Sequence, residues 1–173
     1  MDFDLEHAKK ILERTPATLR AMLSGMPAEW TNNNEGPDTW SPFEIVAHLI
    51  HGEHADWIPR AHIILEHGES LVFEPFERFG FGKYAEGKSL VDLLDDFATL
   101  RARNLDALTD IDLASGKLDL CGTHPEFGQV RMDQLIATWA VHDLAHIYQI
   151  ARVMASQWDD AVGPWGKYLS ILR

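Results

Sequence analysis

The chain has 173 residues, of which 46% are hydrophobic, and its 27 acidic against 15 basic residues give a formal net charge of −12. This length is enough for a sizeable core, and we expect a single domain over residues 1–173. The negative charge repels a phosphate backbone and argues against nucleic-acid binding. No apolar run is long enough to span a bilayer, so no membrane partner is expected.

The start of the chain and its cysteine usage bear on localisation. The N-terminal residues are acidic and amphipathic, whereas a secretory signal needs a basic start followed by an apolar block. A single cysteine, Cys121, excludes an internal disulfide and a cysteine-rich zinc site, and it fits a reducing compartment. We therefore expect a cytoplasmic protein, and we interpret Cys121 as buried and unreactive because no basic partner is identifiable in the sequence.

Apolar spacing predicts a first helix over residues 2–25. Pro16 lacks a backbone donor, so a kink or a restart is expected there, with Thr15 as a candidate cap. Residues 27–40 are rich in Asn, Gly and Pro, which predicts a loop.

A second helix is predicted from Ser41 to about His67. Ser41 is a candidate N-cap, Pro42 suits the first helical position, and Glu44 would complete a capping box with Ser41. A kink is expected near Pro59.

The remaining pattern completes a helical bundle. Residues 67–88 form a long connection, and a third helix is predicted from a cap at Ser89 to Leu108. A second connection spans residues 109–129, a long helix covers residues 131–154 and continues to about Ser156, and a short terminal helix covers Trp165–Leu172. The pattern predicts an all-α four-helix bundle with a short C-terminal helix.

The long helix over residues 131–154 carries two histidines on its inward apolar stripe. His142 and His146 are four residues apart, so their side chains lie on the same face one turn apart. Two imidazoles in this arrangement can bind one metal ion, although a pair of core histidines has the same spacing.

A third ligand is expected from the second helix, where His48 also occupies a core-type position. Bundles commonly build metal sites from inward side chains of facing helices, and three imidazoles suit Zn, Ni or Fe. Three protein ligands leave one position open for a water molecule or a thiolate, and no catalytic side chain of the protein itself is identifiable. Other candidates for the third ligand are His51, His54 and His124, whereas we interpret His7, His62 and His67 as surface or packing residues.

Several neighbours are candidates for the surroundings of such a site. Glu44 and Asp143 could accept the second N–H of a ligating histidine, although capping is the favoured role for Glu44. Gly52, one turn beyond His48, could leave open space above it. Gln149 shares the face of His146 and could line a pocket, and Arg152 could hold an anionic substrate. The tryptophans Trp40, Trp57 and Trp139 are predicted core residues.

Two sequence motifs stand out in the chain. The first is WSPFEIVAHL at residues 40–49, followed by Glu53, and the second joins HPEFG at residues 124–128 to WAVHDLAHIYQI at residues 139–150. Together with the opening ERTPATLR at residues 13–20, these motifs resemble those of the DinB-like (DinB/YfiT) superfamily, and the resemblance covers nearly the whole chain.

This resemblance implies a four-helix bundle with up-down-down-up order, often assembled as a homodimer. It also implies a divalent metal held by three histidines, which correspond to His48, His142 and His146. The family includes thiol-dependent S-transferases, a thiol-dependent isomerase and hydrolases. We therefore expect a metal-dependent enzyme whose partners are a small-molecule substrate and a low-molecular-weight thiol, entering near residues 67–88. A bundle that binds a metal or a small ligand without catalysis is the alternative.

Overall fold

A computed structural model describes residues 2–111, 113 and 116–173. Its helices are α1 (Leu5–Leu23), α2 (Ala28–Asn32), α3 (Pro42–Ala55), α4 (Trp57–His67), α5 (Gly82–Ala85), α6 (Leu90–Asp110) and α7 (Met132–Ser156). A two-stranded antiparallel hairpin pairs β1 (Cys121–His124) with β2 (Gly128–Arg131). Short 3₁₀ turns cover Gly68–Ser70, Lys117–Asp119, Gly163–Tyr168 and Ser170–Leu172.

The long helices form a four-helix bundle, in which α3 and α4 together make one arm. One apolar cluster joins the C-terminal ends of α1 (Leu23) and α7 (Val153) to the N-terminal ends of α3 (Ile45) and α6 (Leu93). Helices α1 and α7 therefore run in one direction and α3 and α6 in the other. This is the up-down-down-up order that the resemblance implied.

Pro16 does not interrupt α1, so the predicted restart is wrong. A proline cannot donate to the carbonyl four residues earlier, which here belongs to Leu12. That carbonyl instead accepts a hydrogen bond from the guanidinium of Arg101, at 2.9 Å. The Thr15 hydroxyl donates to the Ile11 carbonyl within the helix and does not cap a new one. A partner from another helix thus satisfies the group that the proline leaves free.

The second predicted helix is divided into α3 and α4, and the break lies before Pro59, near which a kink was expected. Helix α3 begins with the predicted capping box, because the Glu44 carboxylate accepts from the Ser41 backbone N–H at 2.8 Å and Ser41 Oγ accepts from the Glu44 N–H. It ends at Ala55, and Asp56 (φ −114°, ψ −76°) separates it from α4. Pro59 lies in the first turn of α4, where the missing N–H leaves no bond unmade within that helix.

The connections contain more structure than the sequence pattern indicated. Helix α2 lies within the predicted loop 27–40, and α5 lies within the connection 67–88. The β-hairpin begins within the connection 109–129 and extends beyond it to Arg131, so the long helix begins one residue later than predicted. The predicted terminal helix Trp165–Leu172 consists of 3₁₀ turns. The hairpin and the 67–88 connection meet, since Phe73 N–H donates to the Thr123 carbonyl at 2.9 Å. These two segments form a wall beside α4 and α7.

Nothing in the described part of the chain resembles a membrane-spanning helix, because none of its helices is both long and apolar enough to cross a bilayer.

Candidate metal centre

Three histidines meet where α3 faces α7. Nε2 of His142 lies 3.3 Å from Nε2 of His48 and 3.0 Å from Nε2 of His146. One potential ligand atom from each of the three residues lies within 4.8 Å of those of the other two. The structure thus brings His48 to the helical pair, whereas the sequence left His51, His54 and His124 as alternatives.

The arrangement fits a metal ion better than it fits three free imidazoles. Two nitrogens that each lie 2.0–2.1 Å from one ion in tetrahedral geometry are separated by about 3.3 Å. Nε2 of His142 is close to two other ring nitrogens, and a neutral imidazole nitrogen carries either one proton or one lone pair. It can therefore act as a donor or as an acceptor, but not as both. A single cation would satisfy three lone pairs at once.

The histidines are neutral at ordinary pH, as metal ligands must be. Burial lowers the pKa of His48 to about 3, helped by the nearby charge of His146 and partly opposed by the backbone of Arg78. Burial and the two other histidines lower the pKa of His142 to about 2. Burial also lowers the pKa of His146. The free lone pairs needed for coordination are therefore available without deprotonation.

Gln149 orients one of the three rings. Its Oε1 lies 2.8 Å from Nδ1 of His146, one turn earlier on α7, and accepts a hydrogen bond from the N–H of that nitrogen. A protonated Nδ1 leaves Nε2 with its lone pair directed at the other histidines. The Nδ1 atoms of His48 and His142 are buried and have no hydrogen-bond partner among the described residues.

The predicted role of Asp143 as an acceptor for a histidine is wrong, whereas for Glu44 the favoured capping role is confirmed and the acceptor role is not. Asp143 is adjacent to His142 in sequence but projects from a different side of α7, where it pairs with Arg101. Glu44 is engaged in the capping box of α3.

A buried polar network lies behind the histidines and was missed in the sequence. Arg101 of α6 contacts Asp143 at 2.5 Å and Glu53 at 2.8 Å, and these side chains are at most 1% exposed. Trp139 Nε1 donates to Glu53 at 3.0 Å, and Asn104 donates to the same carboxylate at 2.9 Å. Burial alone would lower the pKa of Arg101, but Glu53 and Asp143 outweigh it and raise that pKa. The network ties α3 to α7 at the level of the histidines.

Tryptophans enclose the histidine cluster. The ring of Trp40 lies 4.6 Å from that of His48, and the ring of Trp57 lies 5.2 Å from that of His142. Gly52 does not leave open space above His48, because a Cβ there would lie 3.2 Å from Nε1 of Trp57. The glycine therefore makes room for Trp57.

The other candidate histidines serve different contacts. His51 Nε2 donates to the Glu77 carbonyl at 3.0 Å, which anchors the 67–88 connection. His54 stacks on Tyr84 with ring centres 4.8 Å apart. Nδ1 of His124 accepts from the backbone N–H groups of Glu126 and Phe127. His7, His62 and His67 are exposed.

The histidines open into a cavity of about 440 Å³ between α4, α7, the hairpin and the 67–88 connection. Aromatic residues dominate its wall, and the charged groups are Asp56, Arg60 and Arg78. Arg152 is elsewhere, where it forms an ion pair with Glu35 at 2.6 Å, so its predicted role at this site is wrong. Asp56, Arg60 and Arg78 were not singled out in the sequence.

The sequence of the chain matches the model of a known protein family. The model of the DinB superfamily matches residues 11–150, which is most of the chain. The chain belongs to the DinB superfamily. Its three histidines lie within the matched range. No curated protein sequence matches the chain.

A solved structure supports the fold of this DinB-superfamily chain. YfiT from Bacillus subtilis is similar, with a TM-score of 0.76 and 17% identity over 88% of this chain and 87% of that one. YfiT is described as a probable metal-dependent hydrolase with an unusual four-helix bundle topology. At this identity the likeness shows the fold alone.

Proposed function

We propose that the protein is a divalent-metal-dependent enzyme acting on a small molecule, either as a hydrolase or as an S-transferase that uses a low-molecular-weight thiol. The convergence of three neutral imidazole nitrogens in one aromatic cavity carries this proposal. The description of YfiT as a probable metal-dependent hydrolase supports a hydrolase. The resemblance to the wider family supports a thiol-dependent S-transferase.

His48, His142 and His146 would hold the ion, which is Zn, Ni or Fe on the chemistry of an all-imidazole donor set. Such an ion would supply Lewis acidity and would lower the pKa of a water molecule or a thiol bound to it. Gln149 holds the ring of His146 in the ligating tautomer. The aromatic walls would pack against the apolar part of a substrate.

A transferase of this kind would take its thiol from solution. Cys121 is the chain's one cysteine, and it lies on β1, outside the cavity wall, with its Sγ 3.5 Å from the Asp119 carbonyl. The protein therefore offers no thiol of its own to the histidine cluster.

Metal content of the purified protein tests the ligands. We expect about one equivalent of a divalent metal in the wild type and a large loss in His48→Ala and His142→Ala. His62→Ala is the matched control, because His62 is exposed on α4 and should leave metal content unchanged. Unchanged metal content in both ligand variants would overturn the site.

Two activity screens then separate the reactions. Thiol consumption with a small electrophile, lost after chelation and restored by metal, would support the transferase. Ester or amide hydrolysis with the same metal dependence would support the hydrolase. Metal binding without turnover in both screens would favour the alternative, a non-catalytic metal- or ligand-binding bundle.

We also propose a homodimer. Three apolar residues lie at helical spacing on the outward face of α7, and Val141, Leu144 and Tyr148 are 62%, 48% and 54% exposed. Light scattering after size exclusion tests this, with Leu144→Glu expected to shift a dimer towards monomer. A wild-type monomer at micromolar concentration contradicts the proposal.

A further inference from the structure

One cationic side chain of the cavity, that of Arg78, forms no ion pair with a carboxylate of the described residues. Arg78 is exposed at the edge of the cavity, on the 67–88 connection. Its guanidinium lies over the ring of Trp40 at 5.0 Å and close to the ring of Phe79 at 5.9 Å. The two cation–π contacts hold the guanidinium at these rings without using its N–H groups as hydrogen-bond donors to a carboxylate. Among the described residues, no carboxylate lies within 4.0 Å of Arg78.

The other charges of the cavity balance each other. Arg60 pairs with Asp56 at 2.7 Å, and both side chains are largely buried. Arg60 also donates to the Glu74 carbonyl at 3.3 Å and lies over the ring of Phe73. Apart from an ion held by the histidines, Arg78 therefore supplies the one uncompensated charge among the described Asp, Glu, Lys and Arg side chains that line the cavity. This charge is positive, although the whole chain carries −12.

Arg78 is also close to the histidine cluster. Trp40, the ring beneath its guanidinium, lies 4.6 Å from the ring of His48 and 6.3 Å from that of His146. The charge of Arg78 contributes to the lowered pKa values of both histidines, which places it within electrostatic reach of them. A small molecule with one end at the histidines can therefore reach Arg78 with the other.

We propose that Arg78 binds a carboxylate of the substrate, and that the substrates are small monocarboxylic acids whose apolar body packs in the aromatic cavity. This inference rests on the proposed function for the reaction at the histidine end. The guanidinium edge matches a carboxylate, to which it can donate two parallel hydrogen bonds. The apolar body is expected because the Trp40 ring contacts both Arg78 and His48, and because Phe76 lines the same cavity with its ring 5.7 Å from that of His48.

At the Arg78 end of the cavity, away from any ion held by the histidines, the charge balance favours a single negative charge over a phosphate dianion. One free guanidinium neutralises one charge, and the second cation of the cavity is already paired with Asp56. A dianion would leave one charge uncompensated beside the carboxylate of Asp56 and the aromatic wall.

Binding to the metal-free protein tests the proposal without relying on metal chemistry. The probes are 3-phenylpropionate, its uncharged amide 3-phenylpropanamide, and phenyl phosphate, titrated by calorimetry. We expect wild type to bind the carboxylate about tenfold more tightly than the amide, as one charge-assisted contact provides. Arg78→Gln should remove this preference and leave amide binding unchanged, and Arg78→Lys should recover part of it.

Arg103→Gln is the matched control, because Arg103 is an exposed arginine of α6 outside the cavity, and it should keep the full preference. Thermal melting should show all three variants folded, since both arginines are exposed. The assignment to Arg78 is overturned if Arg78→Gln retains the preference for carboxylate, or if wild type shows none. Tighter binding of phenyl phosphate overturns the assignment to a monoanion.

These outcomes are separable from those of the proposed function. A protein that takes up no metal but keeps an Arg78-dependent carboxylate preference would remove the metal proposal alone. Normal metal uptake without that preference would remove the carboxylate proposal alone.

Discussion

Arg101 and Asp143 form a two-pronged ion pair in the centre of the bundle, with N–O distances of 2.5 and 3.0 Å. Asp143 directly follows His142, and Glu53, the second carboxylate on Arg101, lies five residues after His48. Arg101 therefore joins α3 and α7, the two helices that carry the histidines, through one carboxylate from each. Its guanidinium also satisfies the Leu12 carbonyl that Pro16 leaves free, so one side chain connects four helices.

Removing Arg101 is expected to destabilise the protein severely. Arg101→Met would leave the buried carboxylates of Glu53 and Asp143 without their cation, at a cost of about 3–5 kcal/mol in the free energy of unfolding. Urea denaturation followed by circular dichroism measures the change. Arg103→Met, two positions along on the exposed face of α6, should change stability by less than about 0.5 kcal/mol. Equal effects of the two variants would mean that the network does not stabilise the fold.

Gln149 is expected to affect metal affinity more than stability. Gln149→Leu removes the acceptor that holds the proton on Nδ1 of His146, and loss of such a contact lowers metal affinity by about 10–100-fold. Competition with a chromophoric chelator measures the affinity. Gln129→Leu, at an exposed position of β2, serves as the control and should bind metal as wild type does. An unchanged affinity in Gln149→Leu would show that the tautomer of His146 is set in another way.

The metal-free protein is expected to lose stability as the pH falls below about 6.5. The pKa values of His48 and His142 are lowered from 6.5 to about 3 and about 2, so between these limits the unfolded chain binds protons that the folded chain does not. Each such histidine removes about 1.4 kcal/mol of stability per pH unit. The contribution is intact above pH 6.5 and is lost progressively as the pH approaches the folded pKa values.

Urea midpoints measured between pH 7.5 and 5 check this dependence. His142→Gln should flatten the slope because one titrating group is removed, whereas His62→Gln should leave the slope unchanged because His62 is exposed. A metal-free protein whose stability is the same at pH 7 and pH 5 would contradict the prediction.

Gly122 is expected to tolerate no side chain. It is buried in β1, and a Cβ there would lie 2.8 Å from Cγ1 of Ile64 and 2.9 Å from Cζ of Phe73. Gly122→Ala should therefore cost about 1–3 kcal/mol through overpacking, measured as a lowered melting temperature. At Gly166 the same atom would lie 3.5 Å from Val162, an ordinary contact, so Gly166→Ala should melt close to wild type.

Local patterns in the sequence determined the long helices and two of the three histidines of the candidate metal centre. Apolar periodicity and the Ser41–Glu44 capping box depend on residues a few positions apart, and so does the spacing of His142 and His146. Such features form through contacts within one helix, which is why the predicted helix over residues 131–154 agrees closely with α7. The hairpin lacked such a signal, because its strands are four residues each and gain stability from packing on α4 and Phe73.

Tertiary structure decided which residues from different helices meet. His48, His51 and His54 lie on one helix, and only the packing of α3 against α7 places His48 at the pair. Arg101 follows Leu94 and Phe97 at inward positions, and a charged residue on that stripe was a signal for a buried network. Its partners could not be read from spacing, because Glu53 and Asp143 are 48 and 42 residues away in sequence. A charge is buried only where partners from other helices arrive, and their arrival depends on the whole fold.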